Sequence, residues 1–166
     1  MAMKSLFSRL LLAAEMTVRI QAADFDLSSE IAALRLNDLE VGAIVSFVGT
    51  VRDINDGSQV KSMELEHYAG MTEKALAAII VDAKSRWTIH QVLVIHRIGK
   101  MLPGDQIVLV AVTGQHRGEA FAACEFIMDY LKTAAPFWKK EATPTGEHWV
   151  DARLTDDEAM ARWQKR

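Results

Sequence analysis

The segment 41–52, which reads Val-Gly-Ala-Ile-Val-Ser-Phe-Val-Gly-Thr-Val-Arg, constrains the fold more than any other part of the chain. It is rich in β-branched and apolar residues at both odd and even positions, and a strand turns alternate residues to opposite faces. Such a strand must be covered on both sides. The segment therefore predicts a well-buried strand that ends at Arg52, with other elements packed above and below it.

Two hairpins are predicted from the β-rich segments that follow. Residues 53–57 include types that tolerate positive φ, and residues 59–68 then alternate as a strand, which predicts a hairpin with the first strand. Residues 91–98 and 106–113 are also β-rich, and the pair Pro103-Gly104 between them marks a turn. These two segments predict a second hairpin.

Two main helices complete the prediction. Thr72 is placed to cap a helix that ends around Arg86 or Trp87. Apolar residues recur at helical spacing over 119–133, and Pro136 stops that helix. Strand pairs interleaved with two helices indicate an α+β fold with a largely antiparallel sheet.

Length and charge limit the classes of function. A chain of 166 residues fits one domain, which we expect to span 16–153, between an N-terminal extension 1–15 and a C-terminal tail 154–166. The net charge of −3 and the pI near 5.9 argue against a protein that coats nucleic acid or an anionic membrane through bulk charge. Any anion that the chain binds must therefore meet a local cluster of cations.

The first fifteen residues admit several interpretations. Their apolar stretch is shorter than the ~20 residues of a transmembrane helix. Lys4 precedes the stretch as in a signal peptide, but Arg9 interrupts it and Met16 begins a segment that reads like the start of a folded domain. A misassigned start codon and a frayed amphipathic helix are the alternatives. The single cysteine, Cys124, excludes an internal disulfide and fits a reducing compartment, so we expect a cytoplasmic protein.

Few side chains carry an obvious chemical signal. Cys124 lies on the apolar face of the second helix, which favours a buried and inert thiol. The five histidines lack the spacing of known metal motifs, so we predict no metal site. His116 and Arg117 follow a strand and a glycine and precede a helix, an arrangement that suits a phosphate or carboxylate. Two solvated basic residues would give the same pattern.

The lysines also have two interpretations each. Lys132 can form a surface ion pair with Asp129 one helical turn earlier, and such a pair would contribute little to the stability of the fold. In an extended segment, side chain 139 points with 137 and 141, whereas side chain 140 points to the other side. Lys139 can therefore face a partly apolar pocket beside Phe137 and exchange protons there, or belong to a basic edge strand that discourages aggregation.

Taken together, these segments resemble the family of molybdopterin synthase large, catalytic subunits, the MoaE family. The similarity runs in one order from about residue 16 to residue 153. The matching segments are Phe47–Arg52, Leu65–Tyr68 with Met71, Ile95–Gly99, His116-Arg117 with Ala120-Phe121, Phe126–Lys132, Pro136–Glu141 and Gly146–Val150.

The resemblance implies a fold, an assembly and a reaction. The fold is of the α/β-hammerhead type, and the assembly is a homodimer of large subunits completed to a heterotetramer by two small ubiquitin-like subunits. Each small subunit carries a thiocarboxylate on its C-terminal Gly-Gly, and its tail delivers sulfur to a cyclic pyranopterin monophosphate, called precursor Z. Two deliveries yield the dithiolene of molybdopterin, and no cofactor or metal is implied.

The resemblance also implies roles for individual residues. The family's two functional lysines correspond to Lys132 and Lys139, and its supporting basic residues to Arg52, His116 and Arg117. Lys140 and Arg153 are further substrate-binding candidates. Lys139 is expected to transfer a proton or to capture the acyl group briefly, while Lys132 orients the substrate. The alternative function is a non-catalytic scaffold that binds a phosphate or nucleotide through the same cations.

Overall fold

A computed structural model describes residues 16–36, 38–55, 57–150 and 154–164. Ten strands and four helices lie within these ranges. In chain order they are β1 (Met16–Gln21), α1 (Leu27–Leu34), β2 (Ala43–Thr50), β3 (Ile54–Asn55), β4 (Ser58–Gln59), β5 (Ser62–His67), α2 (Met71–Arg86), β6 (Ile89–Arg97), β7 (Gly99–Met101), β8 (Gln106–Gly114), α3 (Arg117–Ala134), β9 (Phe137–Thr143), β10 (Gly146–Val150) and α4 (Leu154–Gln164). The sequence expectations for residues 1–15 lie outside the described residues.

The strands form two four-stranded sheets and one small hairpin. The main sheet has the order β1-β6-β8-β2, in which β1 runs parallel to β6 and the other pairs are antiparallel. The second sheet, β10-β9-β5-β7, is antiparallel throughout, and β3 pairs with β4. The predicted α+β class with largely antiparallel sheets is therefore confirmed.

Helices cover both faces of the main sheet. Residues of α2, α3 and α4 form the larger core with one face, and Leu34 of α1 packs with Leu93 and Leu109 on the other. α3 buries most of its predicted apolar face in the larger core, although Phe121 is 61% exposed. Phe126 of the same helix is completely buried. Among the described residues, no helix is long and apolar enough to cross a membrane.

The prediction that segment 41–52 forms a well-buried strand is wrong, because the neighbouring strand β8 is the buried one. β2 is an edge strand of the main sheet, and Phe47 in its middle is 40% exposed. β8, the neighbour of β2, is buried over 108–114. An apolar composition on both faces shows that a strand is covered above and below, but it does not show whether a further strand lies beside it.

The first predicted hairpin is wrong in its pairing. β2 pairs with β8, whereas β5 pairs with β9 and β7 in the second sheet. The turn residues are instead used by the short β3–β4 hairpin, in which Gly57 adopts a φ of 80°. Turn chemistry is local and was predictable, but the choice of a strand's partner depends on distant segments.

The second hairpin and both main helices are confirmed. β6 pairs antiparallel with β8. The short strand β7 lies between them along the chain and pairs with β5 in the second sheet. The predicted cap at Thr72 is wrong, because Gly70 precedes the helix and its N–H donates to the Glu73 carboxylate at 2.6 Å. Thr72 is buried and its hydroxyl donates to the carbonyls of Tyr68 and Pro136. It thus ties the start of α2 to the residue before β9.

Two shorter helices were not among the main ones predicted. α1 begins after Asp26, whose carboxylate accepts a hydrogen bond from the Ser29 N–H at 2.7 Å. α4 packs on α3 through Trp163, which is 4% exposed and donates its ring N–H to Asp129. Arg162 pairs with Asp129 at 2.7 Å. The end of the chain therefore contributes to the larger core.

Candidate functional site

A cavity of about 750 Å³ opens where the two sheets meet the C-terminal end of α3. Its volume falls within the range of ligand pockets, roughly 300–1,000 Å³. Apolar side chains from β2, β5, β8 and α3 form much of its wall, among them Phe47, Met63, Val108 and Met128. Of the residues that the structure describes, the charged and polar ones in the lining are Thr50, Arg52, Asn55, His96, Lys132, Lys139 and Glu141.

Local sequence rules bring the two lysines to this cavity. Met128 and Lys132 lie four residues apart and share one face of α3. Ala134 is the last residue of the helix and Pro136 follows, so that β9 can begin at Phe137. Alternation along β9 then turns residues 137, 139 and 141 toward the cavity, and all three line it.

Four side chains from two distant segments form one hydrogen-bonded chain in the cavity wall. Lys139 Nζ lies 2.8 Å from Glu141 Oε1. Asn55 Nδ2 donates to both carboxylate oxygens of Glu141 at 3.0 Å, and Arg52 Nη2 donates to Asn55 Oδ1 at 3.1 Å. We call this series of hydrogen-bonded side chains, Arg52–Asn55–Glu141–Lys139, the amide-linked network.

Glu141 is the anionic member of this network. The residue is 4% exposed, and burial alone would raise the pKa of its carboxyl group. The hydrogen bonds from Lys139 and Asn55, with the positive charge of Lys139, outweigh burial and hold the pKa of Glu141 below its usual range. The described part of the lining carries three cations, Arg52, Lys132 and Lys139, against one carboxylate, Glu141. This excess of positive charge suits an anionic ligand.

His96 adds a neutral ring to the wall. Burial lowers the pKa of His96 to about 4. Its Nδ1 lies 2.9 Å from the carbonyl of Arg97, so the neutral ring carries its proton on Nδ1. The ring stacks on Phe137 with centroids 3.9 Å apart. His96 thus fixes the side chain from which β9 begins.

The predicted cations His116 and Arg117 lie elsewhere in the subunit. Both are exposed at the N-terminus of α3, and they do not line the cavity. Arg117 and Lys132 are separated by fifteen residues of helix, or about 22 Å at ~1.5 Å per residue. One subunit therefore does not bring these two cations together.

Two other residues weighed from the sequence, Lys140 and Cys124, do not line the cavity. Lys140 points to the opposite face of β9, between Glu64 and Glu147, and hydrogen bonds to Glu147 and then Glu64 raise its pKa. Cys124 is buried, and burial raises the pKa of its thiol to about 11. Arg153 lies outside the described residues. No group of three side chains that could hold a metal ion occurs in the described ranges.

Sequence reasoning did not single out Glu141, Asn55 or His96. Glu141 was within reach, since alternation already put it on the same side as Lys139. Asn55 gave no such signal, because it lies in a turn-forming segment 86 residues before its partner Glu141. His96 was one of five histidines without a motif, and only its burial distinguishes it.

Comparison with known proteins gives consistent matches. Residues 20–134 match the family described as MoaE protein. A molybdopterin synthase catalytic subunit of Ralstonia nicotianae is 68% identical over 147 residues, which cover 89% of this chain and 84% of the relative. The solved structure of a molybdopterin biosynthesis MoaE protein from Burkholderia ambifaria is 61% identical, with a TM-score of 0.78, and the match covers 90% of this chain and 98% of that chain.

A more distant match is a protein–protein complex of subunits 1 and 2 of molybdopterin-converting factor from Helicobacter pylori. It is 20% identical to this chain with a TM-score of 0.66, and the match covers 83% of this chain and 91% of that chain. At this identity the likeness extends to the fold alone.

Proposed function

Because this chain belongs to the MoaE family, we propose that the cavity lined by Arg52, Lys132 and Lys139 is its catalytic site. Relatives in this family are molybdopterin synthase catalytic subunits, and the chain is accordingly a sulfurtransferase of molybdenum cofactor biosynthesis. It converts cyclic pyranopterin monophosphate to molybdopterin with sulfur from the thiocarboxylate of a small subunit. The observation that carries the assignment of the site is the convergence of three cations on one partly apolar cavity, with Arg52 contributed by a segment distant along the chain from Lys132 and Lys139.

The chemistry of the cavity suits both reactants. The substrate brings a phosphate and the small subunit brings an acyl terminus, and both are anionic. Arg52 offers a planar fork for one anion, and Lys132 orients the substrate from the end of α3. Lys139, held by Glu141 at 2.8 Å, transfers a proton or briefly captures the acyl group as the thiocarboxylate gives up its sulfur.

Sulfur arrives on a partner rather than on a side chain of this subunit. Cys124 is buried, with a pKa raised to about 11, so it is a poor nucleophile. The Helicobacter pylori neighbour is itself a complex of two subunits, which supports a small-subunit partner here. A cytoplasmic location is part of the same proposal, because a single free thiol fits a reducing compartment.

A second copy of the chain completes the site in this proposal. His116 and Arg117 are exposed at a helix N-terminus, which favours anions, and they lie too far from the cavity of their own subunit. Phe121, one turn further along α3, is an exposed aromatic ring of the kind found in subunit interfaces. In a homodimer, this end of α3 would reach the partner's cavity and add the Arg117 guanidinium and the His116 ring to it.

Turnover with purified components tests the assignment. The chain is mixed with a thiocarboxylated small subunit and the cyclic precursor, and formation of the dithiolene product is measured. Lys139→Ala should abolish product while the small subunit still binds. Lys100→Ala is the matched control, because Lys100 is an exposed lysine of the second sheet that does not line the cavity. Full turnover by Lys139→Ala would refute a catalytic role for Lys139, whereas a wild type that binds the small subunit but forms no product would favour a scaffold.

Mixed dimers test the contribution of a second copy. Lys139→Ala and Arg117→Ala are each made alone and then co-expressed. If Arg117 acts in the partner's cavity, a mixed dimer has one intact site, and random assembly should restore roughly a quarter of wild-type activity. If both residues act within one subunit, every site lacks one of them, and mixing restores nothing.

A further inference from the structure

Asn55 is a neutral amide between charged groups of the cavity wall. It is 8% exposed, accepts a hydrogen bond from Arg52, and donates to both oxygens of Glu141. We propose that Asn55 is a positioning residue that holds Arg52 toward the substrate's anion without neutralising it and orients Glu141 against Lys139. This inference rests on the proposed function of the cavity and adds a residue to it.

The side chain at position 55 needs both a donor and an acceptor. An amide supplies a carbonyl oxygen for the guanidinium and an N–H₂ group for the carboxylate. An aspartate there would put a second carboxylate 3.0 Å from Glu141 and would neutralise Arg52. An alanine would leave the buried Glu141 carboxylate with fewer donors, which is unfavourable for an ionised group. The Asn55 amide therefore makes both contacts at once without adding a charge.

The neutrality of Asn55 has an electrostatic consequence. Arg52 forms no ion pair in the part of the chain that the structure describes, and its hydrogen-bond partner there is Asn55 Oδ1. Its full charge is therefore available to an anion in the cavity. Lys139, by contrast, is paired with Glu141. The amide thus separates a cation that binds the substrate from a cation that takes part in the reaction.

The position of Asn55 in the fold also allows a purely structural interpretation. The two-residue strand β3 belongs to a small hairpin, and the bonds from Asn55 to Glu141 tie this hairpin to β9. If Asn55 only anchored the hairpin, its loss would lower stability and affect all substrates equally. If the neutral Asn55 instead leaves the charge of Arg52 available to the substrate, a carboxylate at position 55 must change how KM for the precursor depends on salt.

Steady-state kinetics of three variants separate these roles. Asn55→Asp, Asn55→Ala and the control Gln59→Glu are assayed with the cyclic precursor and the thiocarboxylated small subunit over a range of ionic strength. Gln59 lies in the same hairpin opposite Ile54, is exposed, and does not line the cavity, so Gln59→Glu makes the same change of charge away from the site. Thermal unfolding and small-subunit binding are measured for each variant.

The expected results differ between the variants. Asn55→Asp should raise KM for the precursor about tenfold or more and weaken its dependence on salt, as expected when a unit negative charge is added within a few ångströms of Arg52. Asn55→Ala should lower kcat, because Glu141 loses its alignment with Lys139, and should raise KM less than Asn55→Asp does, because Arg52 loses its positioning partner but stays cationic. Gln59→Glu should match the wild type in both parameters.

Two outcomes would overturn the inference. One is an Asn55→Asp variant whose KM and salt dependence equal those of Gln59→Glu. If Asn55→Asp does not fold, Asn55→Ala decides, and kcat and KM equal to the control would equally overturn it. Absence of product from the wild type in the same assay would instead refute the proposed function.

Discussion

The neutral, buried His96 should make the stability of this protein depend on pH in a way that a single substitution removes. The unfolded chain carries a histidine of ordinary pKa, 6.5, whereas burial lowers the pKa of His96 to about 4 in the folded chain. Below about pH 6.5 the unfolded chain therefore binds a proton that the folded chain does not. The stability that neutral His96 allows is complete above pH 6.5 and is lost as the pH falls toward 4.

The magnitude follows from the two pKa values. Each pH unit in which only the unfolded chain is protonated lowers the free energy of unfolding by about 1.4 kcal/mol. Between about pH 7.5 and about pH 5 the loss comes to about 2 kcal/mol, and it approaches about 3 kcal/mol near pH 4. His96→Phe removes this titration, and the new ring can still stack on Phe137.

Urea unfolding followed by tryptophan fluorescence measures the effect. Wild type and His96→Phe are compared at about pH 7.5 and about pH 5, at one protein concentration, because association between subunits also contributes to stability. The lost hydrogen bond to Arg97 shifts the variant equally at both pH values, so the difference in pH dependence isolates the titration of His96. Equal pH dependence in the two proteins would show that His96 is not held neutral by burial.

Three further predictions follow from the same contacts. Glu141→Gln should lower kcat about tenfold or more while the small subunit still binds, because Lys139 loses its anionic partner; unchanged kcat would contradict a role in positioning. Cys124, with a pKa near 11, should react with a thiol reagent at about pH 8 only after unfolding, and rapid labelling of the native protein would show that the thiol is accessible. Trp163→Ala should lower the free energy of unfolding by about 3–5 kcal/mol, because a buried indole and its bond to Asp129 are lost; a change below 1 kcal/mol, measured by urea unfolding, would show that α4 is not part of the core.

Much of the site could be predicted where local rules apply. The periodicity of 119–133, the break at Pro136 and the alternation that follows depend only on backbone geometry, and they bring Lys132 and Lys139 to the cavity. Periodicity could not choose between an ion pair and a function for Lys132; the family resemblance suggested the function. In the folded protein, Asp129 is engaged by Arg162 and Trp163.

Other features depended on contacts between distant segments. The sequence by itself determined the two main helices, the second hairpin and the face of β9 that carries Lys139, because each follows from the spacing of neighbouring residues. Only the tertiary structure decided that β2 pairs with β8, that Asn55 meets Glu141, and that the N-terminus of α3 is remote from its own cavity. Such contacts are selected by the burial of the whole chain, and no local pattern records which distant surface a segment will meet.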